Sequence, residues 1–279
     1  MGLLLVAWSL QAWGETTETD VSILDEDGFR VHRLQSEYQA GETSIRVLVP
    51  NKLQENQLYR VLYVLPVVAA ADEKKHGDGL VEVKKYHLHH KHGLICVSPE
   101  FTAMPWYADH ASDLTKRDES HLLEVVLPFV EQNYPVLPGA EGRLLVGFSK
   151  SGWGAFSLLL RHPDLFHRAA GWDPGIRIDT GPIEEDDRTE RMERIFGSAK
   201  NFENYRLSTL LHKRGTDLGE EARLFYYSTE GKRSAGGSDL HQLMVELEFP
   251  HRYVFEPKRP HRWDSGWLPN AVEFLAGDP

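Results

Sequence analysis

Short apolar runs alternate with helical patterns along most of this chain. Phe29 to Leu34 and Ser44 to Val49 alternate apolar and polar positions, as two strands joined near Gly41 in a hairpin would. Arg60-Val61-Leu62-Tyr63-Val64-Leu65 is apolar almost throughout and stops at Pro66, the pattern of a strand covered on both faces. Leu94 to Val97, Arg143 to Gly147, Ala169 to Trp172, Leu224 to Thr229 and Arg252 to Phe255 predict further short strands. Between them, Asp78 to His92, Glu119 to Tyr134, Ser151 to Arg161 and Leu240 to Glu248 read as helices, and Leu268 to Leu275 as a closing helix. Glu119 to Tyr134 places Leu122, Val126, Phe129 and Val130 on one face, with a kink expected at Pro128.

From residue 60 onward strand and helix alternate. That rhythm predicts an α/β protein: a mainly parallel twisted sheet with helices on both faces, extended at one edge by the antiparallel N-terminal hairpin. Residues 174–221 break the rhythm. They are charged, including Glu184-Glu185-Asp186-Asp187, with helical pieces around Arg188 to Phe196 and Tyr205 to His212. An insertion over the carboxyl edge of the sheet is expected there, where open sheets bind ligands. No repeat, low-complexity tract or long linker divides the chain, so residues 21–279 are expected to form one domain.

Residues 1–20 are of a different kind. Gly2 to Leu10 is apolar, Gln11-Ala12-Trp13-Gly14 follows, and Glu15 to Asp20 is acidic. The apolar run is too short to span a bilayer. It has the core and small-residue end of a secretory signal, although no Lys or Arg precedes it. Export to the periplasm or the exterior is the expectation, with a short surface helix on a cytoplasmic protein as the other reading.

Composition narrows the partners. The 279 residues carry 31 Lys plus Arg against 42 Asp plus Glu, a formal charge of −11 with the 14 His neutral. That balance excludes nucleic-acid binding through a strongly basic surface, and likewise a polybasic membrane surface. Hydrophobic residues at 41% and charged residues at 26% fit a soluble globular chain. The single cysteine, Cys96, excludes an intrachain disulfide; in Leu94-Ile95-Cys96-Val97 it reads as an inert core thiol. Nothing in the pattern sets an oligomeric state.

The sharpest chemical feature is Gly147-Phe148-Ser149-Lys150-Ser151-Gly152, at the join of a predicted strand and helix. A serine at the tip of such a turn projects its hydroxyl from the sheet, and small neighbours let strand and helix pass closely. The usual pattern is G-x-S-x-G; here Ser151 holds the fifth position. A serine hydroxyl needs a base. His261 follows the last predicted strand and precedes the last helix, where a triad histidine falls in the order serine, acid, histidine. For the acid, Glu230 directly follows the strand ending at Thr229 and is favoured over Asp239, which reads equally as a helix cap, with Asp173 as the third candidate. The oxyanion donors are expected to be the N–H of Lys150 and that of Val67 or Val68, since Pro66 has none. Trp106, Tyr107, Trp263 and Trp267 are candidates to line an acyl or aryl pocket, or to pack in the core. Lys150, Lys258, Arg259 and Arg262 make the expected centre locally cationic.

Other constellations are weaker. His87 to His92 holds four histidines, but His89 and His92 lie at a helix end with no nearby thiol, which fits a solvated terminus better than a metal site. No glycine-rich phosphate loop or dinucleotide fingerprint occurs, so no metal or other cofactor is expected.

Taken together, these motifs resemble the esterase D and feruloyl-esterase-like branch of the α/β-hydrolase superfamily over about residues 40 to 275. The likeness rests on Val61 to Pro66, Trp106-Tyr107, Gly147 to Ala155, His162-Pro163-Asp164-Leu165-Phe166, Ile195-Phe196-Gly197-Ser198 and His261-Arg262-Trp263. It implies the α/β-hydrolase fold and serine-dependent hydrolysis of carboxylic esters, with Ser149 as nucleophile and His261 as its histidine. The expected substrate is a small-molecule or carbohydrate-linked ester. Three positions depart from the family pattern. Pro66-Val67 stands where His-Gly is usual, Ser151 replaces the elbow's last glycine, and Glu230-Gly231-Lys232-Arg233 stands where a Gly-x-x-Asp motif would. Two alternatives accordingly remain: a catalytically silent scaffold that binds a sugar or protein, and an acyltransferase using the same residues.

Overall fold

A computed structural model describes residues 22–70, 72, 74–174, 179, 185–230 and 237–277. The expected leader, and parts of the expected insertion, lie outside the described residues. Among the described residues nine strands form one sheet: β1 (Ile23–Leu24), β2 (Arg30–Leu34), β3 (Thr43–Leu48), β4 (Arg60–Leu65), β5 (Leu94–Pro99), β6 (Arg143–Phe148), β7 (Arg168–Trp172), β8 (Leu224–Ser228) and β9 (His251–Phe255). Their order is β1-β2-β3-β5-β4-β6-β7-β8-β9. The pairs from β5 to β9 are parallel, and β1, β2 and β3 join antiparallel at one edge. The predicted hairpin is thus β2 and β3.

The near-continuous apolar strands are covered on both faces. Along β4, Val61, Tyr63 and Leu65 point into one core with the Lys150–Arg161 helix. Leu62 and Val64 point into a second core with the Gly79–Lys85 and Leu268–Ala276 helices. This is the period-two alternation of a strand, with apolar partners on either side.

Two predicted helices are interrupted. The Asp78 to His92 segment divides into Gly79–Lys85 and Leu88–Lys91, because His87 adopts a left-handed φ of 54°. Asp78 itself caps the first piece, its carboxylate accepting from the N–H groups of Leu80 and Val81. The Glu119 to Tyr134 segment begins as Asp118–His121, widens to a π turn over Leu122–Val126, and resumes as Leu127–Asn133. Leu127 N–H donates to the Leu122 carbonyl, one residue further back than in an α-helix. Pro128 has no N–H for the usual bond, and its ring crowds the carbonyl four residues before it. The wider turn relieves that crowding, so a π turn stands where a kink was expected.

The sheet order places the site. After β4 the chain pairs back on one side as β5, then crosses to the other side as β6. The loops leaving β4 and β6 therefore diverge at a topological switch point, where open sheets place ligand sites. Leu62 at the sheet centre is fully buried, whereas Leu24 at the edge is 67% exposed. Leu62→Ala is expected to lower unfolding free energy by about 2–5 kcal/mol, and Leu24→Ala by less than about 0.5 kcal/mol, in urea titrations.

Candidate active site

Ser149 stands between the end of β6 and the Lys150–Arg161 helix, with φ 53° and ψ −124°. A side chain in that region costs about 1–3 kcal/mol and must be held by its surroundings. Three backbone bonds hold it here. Ser149 N–H donates to the Trp172 carbonyl at 2.8 Å, and its own carbonyl accepts from Gly152 at 3.0 Å and Trp153 at 3.2 Å. Glycines make the approach possible. A Cβ on Gly147 would lie 2.1 Å from the Ser151 carbonyl oxygen, and one on Gly171 would lie 2.7 Å from the Phe156 ring. Ser151, the departure from the usual elbow, is fully buried, and its hydroxyl bonds both the N–H and the carbonyl of Phe148 at 2.9 Å. The hydroxyl closes the turn from inside, which explains why a side chain fits there.

The register brings three strand ends level. Leu65 of β4 pairs with Gly147 of β6, and Phe148 of β6 pairs with Trp172 of β7. One or two residues beyond these pairs, Val67, Ser149 and Asp173 occupy neighbouring positions on the carboxyl edge. Asp173 is buried, with φ 44°, and its N–H donates to the Tyr227 carbonyl at 2.7 Å. Its carboxylate accepts from His261 Nδ1 and from the Thr229 hydroxyl, the latter at 3.2 Å. The His261 ring packs on Phe148 with centroids 4.5 Å apart, directly beside the serine turn.

Asp173, rather than Glu230, is therefore the carboxylate on His261. Glu230 is exposed beyond the end of β8, and Asp239 is exposed in the first turn of the Gly237–Glu246 helix. The reason is strand order: β7 lies directly beside β6, and β8 is one strand further out. The end of β8 contributes Thr229 to Asp173 instead. Asp173 bore the same signal as Glu230, an acid immediately after a strand, but adjacency to β6 decides between them. His162 and His251, the other histidines weighed for this role, are engaged elsewhere. His162 pairs with Glu119, and burial pushes its pKa down to about 4. His251 Nδ1 bonds the Phe249 carbonyl at 2.7 Å. His76, which carried no sequence signal, meets the His261 ring edge-on at 5.8 Å, and its carbonyl accepts from Trp263 N–H at 2.8 Å.

Bonding to Asp173 leaves His261 Nε2 as the nitrogen able to take a proton. The Lys150 N–H opens a helix and lies among those with no intrahelical acceptor. Of the two valines, register puts Val67 level with Ser149. The loop is braced from below: the Tyr107 hydroxyl donates to the Pro66 carbonyl at 2.5 Å. Tyr107 is itself fully buried at φ 53°, against Gly154, where a Cβ would come within 2.2 Å of the Tyr107 ring. Trp263 is 3% exposed and packs between Phe148 and Trp267. Tyr107 thus serves packing where a substrate-lining role was expected, Trp263 also lines a small cavity with Val67, Val68 and His76, and Trp267 is wholly buried. Trp106 is half-buried, beside the Lys150 side chain.

Cys96 is fully buried, and burial pushes its thiol up, as an inert core cysteine requires. Among the described residues no cluster of His, Cys, Asp or Glu could hold a metal ion, and no helix is long and apolar enough to cross a membrane.

A family model described as "Putative esterase" matches residues 36–220. Solved structures share the fold. An S-formylglutathione hydrolase from Agrobacterium tumefaciens superposes with a TM-score of 0.71 at 15% identity, over 89% of this chain and 94% of that one. The fluorophosphonate-binding serine hydrolase FphF of Staphylococcus aureus gives 0.70 at 14% identity, over 90% and 98%. The ferulic acid esterase AmCE1/Fae1A of Anaeromyces mucronatus gives 0.60 at 18% identity, over 89% and 90%. The fold is the α/β-hydrolase fold.

Ser151→Ala removes both bonds to Phe148 and is expected to cost about 1–3 kcal/mol, read as a lowered urea midpoint. Gly147→Ala has no space for its Cβ, and is expected to destabilise the fold more than Ser151→Ala does.

Proposed function

We propose that this chain, which belongs to the esterase family whose model it matches, cleaves carboxylic esters through a Ser149–His261–Asp173 triad and an acyl-enzyme. The observation that carries the reading is the hydrogen bond from His261 Nδ1 to the buried Asp173 carboxylate, one strand away from the strained Ser149 turn. Asp173 holds the imidazole with Nε2 free to act as base. Ser149 Oγ attacks the ester carbonyl carbon while its proton passes to His261 Nε2. The carbonyl oxygen becomes an oxyanion, received by the N–H groups of Lys150 and Val67. Each such donor is worth about 3–4 kcal/mol in the transition state.

Collapse of the tetrahedral intermediate breaks the bond to the alcohol oxygen, which takes the proton from His261. Asp173 stabilises the imidazolium between these transfers. Water then repeats the sequence on the acyl-serine, with His261 again as base, and releases the acid. The reaction needs no cofactor. The departure at Pro66-Val67 is compatible with this scheme, because a valine N–H serves as well as a glycine N–H once the loop is fixed. Tyr107 supplies that fixing through the Pro66 carbonyl. The substrate is a small-molecule or carbohydrate-linked ester; the structural neighbours include an S-formylglutathione hydrolase and a ferulic acid esterase. Export from the cytoplasm, expected from residues 1–20, is part of the same proposal.

A fluorophosphonate probe is expected to label the protein at Ser149 and not to label Ser149→Ala. With a short-chain aryl ester, Asp173→Asn is expected to lower kcat by roughly a thousandfold or more. Glu230→Gln is expected to behave as the unmodified chain does. Absence of labelling together with absence of turnover ends the esterase reading. Loss of turnover in Glu230→Gln alone reassigns the acid.

A further inference from the structure

The residue after the nucleophile carries an amine in an unusual setting. Lys150 is only 7% exposed. Its Nζ lies 5.1 Å from the centre of the Trp106 ring. Among the described residues no carboxylate reaches ion-pair distance of it, and its electrostatic neighbours are Asp118, Asp72 and Arg191. Asp118 is already engaged, accepting from the Trp106 N–H at 2.7 Å and from Gln39 at 3.3 Å. Burial pushes the Asp118 pKa up to about 6, so near neutrality it is still mostly ionised and acts on Lys150 from beyond ion-pair distance. Asp72 is exposed. The Arg191 guanidinium lies over the same Trp106 ring, at 5.7 Å.

The space beyond Trp106 has more cationic than anionic side chains in its lining. A cleft of about 470 Å³ is lined by Trp106, Asp118, Lys116, Arg191 and Arg194, among others. Lys116 is paired with Asp113. A buried ammonium without a direct anionic partner is costly, and an aromatic face offsets only part of that cost. Here burial brings the Lys150 pKa down to about 7. A fold that needed only the backbone N–H at this position would be served by any residue; the side chain adds a desolvated amine against the Trp106 ring, about half protonated at neutrality when no anion is bound.

We infer that Lys150 is a specificity-determining residue, and that the substrate is an ester bearing a carboxylate or comparable anion close to the scissile carbonyl, received between Lys150 and the Trp106 cleft. The inference rests on Ser149 as the nucleophile, which fixes where the carbonyl sits. The anion supplies a direct ion-pair partner, which the described residues do not. It also meets Lys150 in a low-dielectric setting, where a charge-assisted hydrogen bond is strong. The net acidity of the chain does not oppose this, because local charges dominate at such range.

The test compares esters matched in length and differing in charge. Monoethyl adipate and ethyl hexanoate place the charge on the acid side. The acetate esters of glycolic acid and of propanol place it on the alcohol side. The full chain is expected to show a kcat/KM for an anionic member at least roughly tenfold above its neutral partner. In Lys150→Met, which keeps the backbone N–H and an apolar stem on Trp106, that ratio is expected to fall to within about twofold of unity, and Lys150→Arg to restore part of it. A binding arm is independent of turnover. Ser149→Ala is titrated calorimetrically with monoethyl adipate and with acetoxyacetate, and the Ser149→Ala, Lys150→Met double variant is expected to bind at least roughly tenfold more weakly. Equal or better use of both neutral esters, or a preference that survives in Lys150→Met, overturns the inference. If Ser149 fails to label and no ester is cleaved, the esterase reading fails separately, and the binding arm alone decides the role of Lys150. Melting curves for each variant separate lost recognition from lost fold.

Discussion

Everything at the reaction centre depends on how closely the Lys150–Arg161 helix can approach the sheet. Gly147 and Gly171 lie side by side on β6 and β7, and Gly152 faces Gly171 from the helix. With no side chains between the backbones, the helix descends onto the strands directly after one strained residue. That residue is Ser149. Its φ of 53° is unfavourable alone, and is held by a bond to β7 and by the first turn of the helix. Had any of the three glycines carried a side chain, the helix would stand further off and the serine would lose its fixed direction. Precision in the direction of Ser149 is thus a packing result before it is a chemical one.

Much of this was readable from residue order, and the reasons are local. Continuous apolar runs such as Val61 to Leu65 announce strands buried on both faces, and the two cores on either side of β4 confirm why. The β2–β3 hairpin followed from alternation. The small-residue turn at Gly147 marked the serine, and the position of His261 between the last strand and the last helix marked a histidine that the structure brings beside Phe148. Each of these features is written within a dozen or so neighbouring residues.

What was not readable depends on contacts between distant segments. Glu230 and Asp173 both follow strands, and only the placement of β7 beside β6 separates them. The role of Ser151 hides in a turn too tight to foresee, where its hydroxyl replaces bonds that a glycine would leave to the backbone. Tyr107 has the composition of a pocket wall, yet the fold uses its volume as packing. The π turn before Pro128 is a further case: a proline forbids one bond, but which neighbouring turn yields is decided by what the helix packs against. The formal charge of −11 was similarly silent about the site, since it sums over the whole chain. The buried amine of Lys150 belongs to a scale that total charge does not resolve.

The contact of Tyr107 with Pro66 and Gly154 joins two parts of the catalytic edge that are far apart in the chain. The loop after β4 carries Val67, and the helix after β6 opens at Lys150, the two N–H groups proposed as oxyanion donors. Tyr107 bonds the first and rests on the second. The two donors are therefore parts of one stiff body, and neither can shift against the other without dislodging a buried ring. Mechanically the three positions act as one clamp: a bulkier residue at 154 excludes the tyrosine, and loss of the tyrosine releases the loop.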